Sequence, residues 1–84
     1  EFGEHVRGWR MVLGLTAQQV SERAGITRDT LRKIESGNPN VSFNSVTQVL
    51  RALGILDQIV DAADPLASDI GRLRAGRLTR KRAR

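Results

Sequence analysis

The chain has no cysteine and no tyrosine, and in 84 residues it holds one tryptophan, two phenylalanines, two prolines and one histidine. Without cysteine there is no disulfide framework, no thiolate metal site and no cysteine nucleophile, a composition that suits the cytoplasm. His5 stands beside Glu4 with no partner at ligand spacing, so it reads as a surface residue and no metal centre is expected. The chain shows no paired carboxylates placed for a cleft, no Ser/His/Asp set and no glycine-rich phosphate loop, so neither catalysis nor a cofactor is expected. No apolar run approaches the about 20 residues of a membrane span, and no secretory apolar segment is read, so no membrane role is expected.

Eighty-four residues suit one small domain. Such a chain buries only about 60% of the surface its unfolded form exposes. Its core is correspondingly modest, and a partner subunit would add stability. Leu, Ile and Val spread along the first sixty residues point to a compact helical domain. The net charge of +5 is unevenly divided. Residues 71–84 hold Arg72, Arg74, Arg77, Arg80, Lys81, Arg82 and Arg84 and no acid, whereas residues 1–70 hold seven basic against nine acidic side chains, a net of −2. Net charge is therefore a poor guide to what the domain binds. Position says more: Arg28, Arg32 and Lys33 fall together, while Asp57, Asp61, Asp64 and Asp69 lie far along the chain. A local basic face on a neutral body can still follow a line of phosphates.

Five helices are read in order. Phe2, Val6, Trp9 and Leu13 recur at i, i+4, i+7 and i+11, a one-faced helix that Gly14 stops, with Trp9 expected in the core and Met11 and Val12 outside it. Thr16 with Gln19 three residues on is a capping-box pattern and opens a second helix. Gly25 is placed to end that helix in the left-handed conformation. Thr27 caps a third, which carries Leu31 and Ile34 inward and stops at Gly37; Gly-Asn-Pro-Asn at 37–40 is a loop. Ser42 caps a fourth helix with Val46, Val49, Leu50 and Leu53 as its stripe and Gly54 as its end, and Ile55, Leu56, Ile59 and Val60 make a short fifth that runs to Ala63.

Residues 15–37, LTAQQVSERAGITRDTLRKIESG, thus contain two short helices joined by a turn around a glycine, the sketch of a helix-turn-helix, whose second helix enters the DNA major groove. GLT at 14–16, VSERAGIT at 20–27, TLRKIESG at 30–37 and LRALGI at 50–55 extend the likeness. On these residues the segment 4–62 resembles the Cro/repressor-type helix-turn-helix regulators, the XRE family. The resemblance implies an all-α, five-helix repressor-like DNA-binding domain over residues 3–63, with the helix-turn-helix at helices 2 and 3, followed over 64–84 by a short amphipathic segment and a basic C-terminal tail. One departure is plain: many members have Gln directly after the Thr that opens the second helix, where this chain has Ala17. Gln18 or Gln19 would have to replace it, and they point in different directions on a helix.

The partner so implied is double-stranded DNA. Arginine reads guanine O6 and N7 through two parallel bonds, so Arg28 and Arg32, one turn apart on the exposed face, lead the candidates for base contact. Asp29 would accept from cytosine N4 or orient a neighbouring cation, and Lys33 completes the set; the bland alternative is a solvated charged face with an Asp29–Lys33 pair. Thr16 and Thr27, at helix N-termini, suit phosphates. The resemblance adds Gln18, Asn38, Asn40, Ser42 and Asn44 as backbone contacts, although ordinary capping and turn formation explain Asn38 and Asn40 equally well. It also implies a partly buried ion pair between Arg10 and Glu35.

Asp64-Pro65 reads as the start of a sixth helix with Leu66, Ile70 and Leu73 on one face. The following RLTRKRAR, 77–84, has no stripe and is expected to be mobile. It would touch DNA, fold on an acidic partner protein, or simply solubilise the chain. DPLASDIGRLR with the basic end resembles HipB-like antitoxins, which repress their own operon and hold a kinase-type toxin. Two functions therefore stay open: a dimeric repressor on a palindromic operator, or an antitoxin whose main task is to sequester a toxin. A homodimer is expected in either case, because one recognition helix contacts too few base pairs. Its expected seam is the surplus apolar surface of Ile55, Ile59 and Val60.

Overall fold

Hydroxyl side chains start several helices of this chain and glycines follow the ends of several. A computed structural model describes residues 1–77. Among them run α1 (Phe2–Val12), α2 (Ala17–Ala24), α3 (Arg28–Glu35), α4 (Phe43–Ala52), α5 (Leu56–Ala63), a single 3₁₀ turn (Pro65–Ala67) and α6 (Asp69–Leu73), with no strand. The hydroxyl oxygens of Thr16, Thr27 and Ser42 each accept the backbone N–H three residues on, at 3.0 Å. At α2 the box is closed from the other side, since Gln19 Oε1 accepts the Thr16 N–H at 2.9 Å.

The helix ends set the direction of the chain. Gly25 has φ +69, a conformation that costs a side-chain-bearing residue dearly. Its N–H donates to the Glu22 carbonyl at 3.2 Å, and the Ile26 N–H donates to the Ser21 carbonyl at 3.0 Å. This double bond pattern turns the backbone and brings the following aliphatic side chain back against the helix. Gly54 (φ +76) does the same for α4, with the Ile55 N–H on the Leu50 carbonyl at 3.0 Å. Leu15, Ile26 and Ile55, each the residue after such a glycine, are thereby drawn to the core formed by Val6, Val20, Leu31, Ile34, Val49 and Leu50. α2 packs on α4, α1 on α3, and α5 against α4.

Three expectations are corrected. Trp9 is not core: it remains 41% exposed, as Phe2 and Leu13 also remain exposed. The inward line of α1 is Gly3, Val6 and Arg10, one step around the helix from the expected stripe. Gly3 explains the rotation, because a Cβ there would lie 2.5 Å from the carbonyl oxygens of both Ile34 and Glu35. The backbone of α1 therefore sits directly on the end of α3. Ile55 is not part of an outer seam; at 6% exposed it belongs to the core, for the turn at Gly54 folds it inward. Asp64-Pro65 opens the 3₁₀ turn instead of a helix through Leu73. Ser68 interrupts that path, since its hydroxyl accepts the Gly71 N–H at 3.0 Å and starts α6 afresh. The tail readings for 78–84 lie outside the described residues.

One buried polar group is unanswered. Ser21 on α2 is 2% exposed, and its hydroxyl meets no hydrogen-bond partner. Leaving such a group unsatisfied costs about 1–3 kcal/mol, whereas an apolar replacement of similar shape removes the cost. Ser21→Ala is expected to raise the thermal midpoint, by about 4–8 °C per kcal/mol gained in a domain of this size. A midpoint at or below that of the wild type in a calorimetric scan contradicts the burial argument.

Candidate nucleic-acid interface

α3 is eight residues long, and its two sides differ sharply. Leu31 and Ile34 are buried, while Arg28, Asp29 and Arg32 are exposed and Lys33 is half-buried. The charges on the outer side are not equally free. Asp29 holds Arg32 through a direct ion pair and Lys33 Nζ at 3.3 Å. Hydrogen bonds from Arg32, and after it from Lys33, keep the Asp29 carboxyl below the usual carboxylate range. A carboxyl shifted downward is ionised throughout the neutral range and loses its charge only as pH falls through its lowered value, so Asp29 stays charged at working pH. Arg28 makes no ion pair among the described residues.

Beneath this face the helix is fastened to α1. Arg10 Nε donates to Glu35 Oε2 at 2.8 Å and its Nη2 donates to Oε1 at 3.1 Å, a two-pronged pair. A further N–H, on Nη1, donates to the Leu15 carbonyl at 3.4 Å, which ties in the turn before α2. The two side chains are only 15% and 12% exposed. The hydrogen bonds it donates to Glu35 push the guanidinium pKa still higher, against the opposing effect of burial.

The residues expected at the DNA backbone are largely engaged in local structure. Thr16 and Thr27 act as caps, and Thr27 Oγ1 lies 2.9 Å from Thr30 Oγ1. Gln18 lies along α2 and donates to Glu22 at 2.7 Å, while Gln19 is spent in the capping box. Asn38 Oδ1 accepts the Asn40 N–H at 2.8 Å and shapes the loop. Ser42 caps α4 and its hydroxyl donates to Ser45 Oγ at 2.9 Å. The side chains of Asn40 and Asn44 are exposed. Beside α3, an open groove of about 660 Å³ is lined by Arg7, Ala17, Arg28, Leu31, Arg32 and Glu35, among others.

The family model described as "Helix-turn-helix domain" matches residues 1–63, three quarters of the chain. The chain belongs to the helix-turn-helix family. An "Uncharacterized HTH-type transcriptional regulator" of Methanothermobacter thermautotrophicus is 39% identical to it over 49 residues, which cover 58% of this chain and 71% of that protein. No solved structure matches it. The Cro/repressor-type resemblance and the all-helical class read from the sequence agree with these findings.

In this helix-turn-helix the structure brings Arg28, Asp29, Arg32 and Lys33 together on the outer side of α3, as the spacing implied. It adds one residue the sequence reading passed over: Arg7, which shares the groove with Arg28 and Arg32. The signal was present, for Arg7 precedes Arg10 by three residues and so lies on nearly the same side of α1. Among the described residues, no cluster of His, Cys, Asp or Glu is placed to hold a metal ion, and no helix is long and apolar enough to cross a membrane.

Breaking the Arg10–Glu35 pair tests how firmly α3 is held. Arg10→Met leaves the Glu35 carboxylate nearly buried and unpartnered, and the expected loss in urea denaturation is on the order of 3 kcal/mol. Arg10→Met with Glu35→Leu removes both charges and is expected to recover most of that loss. A double variant no more stable than Arg10→Met would show that packing, not charge, sets the cost.

Proposed function

We propose that this helix-turn-helix protein is a sequence-specific DNA-binding transcription regulator, a repressor that sits as a dimer on a palindromic operator. Membership of the family and the likeness to an HTH-type transcriptional regulator support the DNA-binding and regulatory part. The observation that supports the groove assignment is the outer side of α3, where Arg28 at the start and Arg32 and Lys33 in the last turn are presented by a helix whose inner side is committed to the core. A helix anchored in this way can lie in the major groove with its first residues at the base edges.

Roles follow from what each side chain is already doing. Arg28, free of any ion pair among the described residues, is the first candidate for a two-pronged contact to guanine. Arg32 reaches a base after exchanging its Asp29 partner for it, and Lys33 is in the same position. Asp29 then orients the two cations, or accepts from cytosine N4. Thr16, Gln18, Thr27, Asn38, Asn40, Ser42 and Asn44 are proposed at the phosphates, in keeping with exposed polar groups at three helix starts and the loop between α3 and α4. Arg28→Ala and Arg32→Ala should each weaken binding to a selected operator by about 1–3 kcal/mol and relax the base preference at one position. Wild-type affinity in both variants, measured by fluorescence anisotropy, removes α3 from the groove.

The proposed dimer seam is narrower than the sequence suggested. With Ile55 buried, α5 offers Ile59, 41% exposed, and Val60, 59% exposed, as apolar groups on the surface. Two subunits joined there would have to set their α3 helices about 34 Å apart, or a multiple of it, to meet successive turns of DNA. Ile59→Asp combined with Val60→Asp should shift the sedimentation coefficient from dimer to monomer and weaken operator binding. A variant that sediments as the wild type places the seam elsewhere. A second reading, an antitoxin that neutralises a kinase-type toxin and represses its own operon, is favoured by Leu66, Ile70 and Leu73, apolar side chains that all remain exposed.

A further inference from the structure

The groove beside α3 has contributions from three elements: Arg7 of α1, Ala17 at the start of α2, and Arg28, Asp29, Arg32 and Glu35 among the residues of α3. Its charges can be counted by what neutralises them. Glu35 is taken by Arg10 with two hydrogen bonds, and Asp29 takes Arg32 and Lys33. Two guanidinium groups on the rim remain without an ion pair among the described residues, Arg7 and Arg28, and both are exposed. They stand on different helices with the groove between them. Ala17, with no side chain beyond Cβ, leaves that space open.

We infer that this groove seats a phosphodiester of the DNA strand and that Arg7 is its clamp from the α1 side. The inference rests on the DNA-binding reading and extends it to a residue outside the two-helix motif. An open trough flanked by cations suits a strand backbone better than a base edge: the flexible Arg7 guanidinium can take the phosphate charge from the α1 side while Arg28 stays free for guanine. Arg28 faces the groove from α3, so an Arg7-bound phosphate would fix the height at which α3 enters the DNA. Arg7 itself carries no sequence information. Its effect is on affinity for every duplex alike, and on salt dependence.

The experiment measures affinity of the full chain against salt for two probes, a duplex recovered by selection and a mixed-sequence duplex. Arg7→Ala should weaken both by the same factor and make the slope of log affinity against log salt shallower by about 0.9, the share of one phosphate. Arg7→Lys should restore most of the slope, which a structural role of the arginine would not do. Ala17→Glu places a carboxylate at the trough, and both duplexes should bind more weakly while circular dichroism shows the variant still helical. Full affinity and full slope in Arg7→Ala and Ala17→Glu, with wild-type chain still binding the selected duplex, overturn this inference alone. Wild-type chain that binds neither probe overturns the DNA-binding reading itself.

Discussion

An eight-residue helix cannot hold its own shape in water, and α3 is such a helix. Everything proposed for this protein requires that helix to be rigid while most of its outer surface stays free. The anchorage is therefore concentrated on one side and at one end. Leu31 and Ile34 enter the core from the inner side. At the far end Glu35 is gripped by Arg10, and the Ile34 and Glu35 carbonyls lie against Gly3 so closely that no Cβ fits between. α1 thus serves chiefly as a buttress. Its own apolar side chains Phe2, Trp9 and Leu13 remain partly in solvent because the contact with α3 is made by a glycine, a valine and an arginine.

This arrangement explains which features were legible in the sequence. Helix starts and ends were, because they depend on local chemistry: a hydroxyl at Thr16, Thr27 or Ser42 and a glycine at 25 or 54 act through atoms a few residues away. The grouping of Arg28, Asp29, Arg32 and Lys33 was equally legible, since helical spacing alone places them. Orientation of a helix about its own axis was not. Periodicity in α1 marked a stripe through Trp9, but the choice between that stripe and the line through Gly3 was decided by the close backbone approach of a helix distant in sequence. Ile55 was misplaced for a related reason: an aliphatic residue after a helix-ending glycine reads as spare apolar surface until the turn that folds it inward is taken into account. Asp64-Pro65 had a correct cap but the wrong helix behind it, because Ser68 offered a competing start.

The chain's stabilising electrostatics and its proposed binding electrostatics use different residues, and magnitudes explain why they can coexist. Arg10 and Glu35 are nearly buried, so removing either would strand a charge at a cost of several kcal/mol. The pairs that Asp29 makes with Arg32 and Lys33 are exposed, with more than half of the Asp29 side chain in solvent. Such pairs contribute about 0–1 kcal/mol. A good two-pronged contact to a base discriminates by about 1–3 kcal/mol. The cations on Asp29 are therefore held loosely enough to be exchanged, while Arg10 stays committed to Glu35. In the free protein Asp29 holds two cations in place without locking them.

The same reasoning applies to the charge of the whole body. Residues 1–70 are net acidic by two, which by itself would repel a polyanion. Yet fields at a protein surface decay over about 8 Å at physiological ionic strength, so what approaching DNA meets is the nearest face rather than the sum. Asp57 and Asp61 belong to α5, which packs against α4 and the 3₁₀ turn that follows it. Of the two acids on α3 that line the groove, Glu35 is spent on Arg10 and Asp29 on Arg32 and Lys33. Net charge on the α3 side is thus set by Arg7 and Arg28 with the partly compensated Arg32 and Lys33 behind them, and it is positive. The buried pair that stiffens the helix also takes one of the two groove-lining carboxylates out of opposition to a phosphate, so a single contact serves both the fold and the charge of this face.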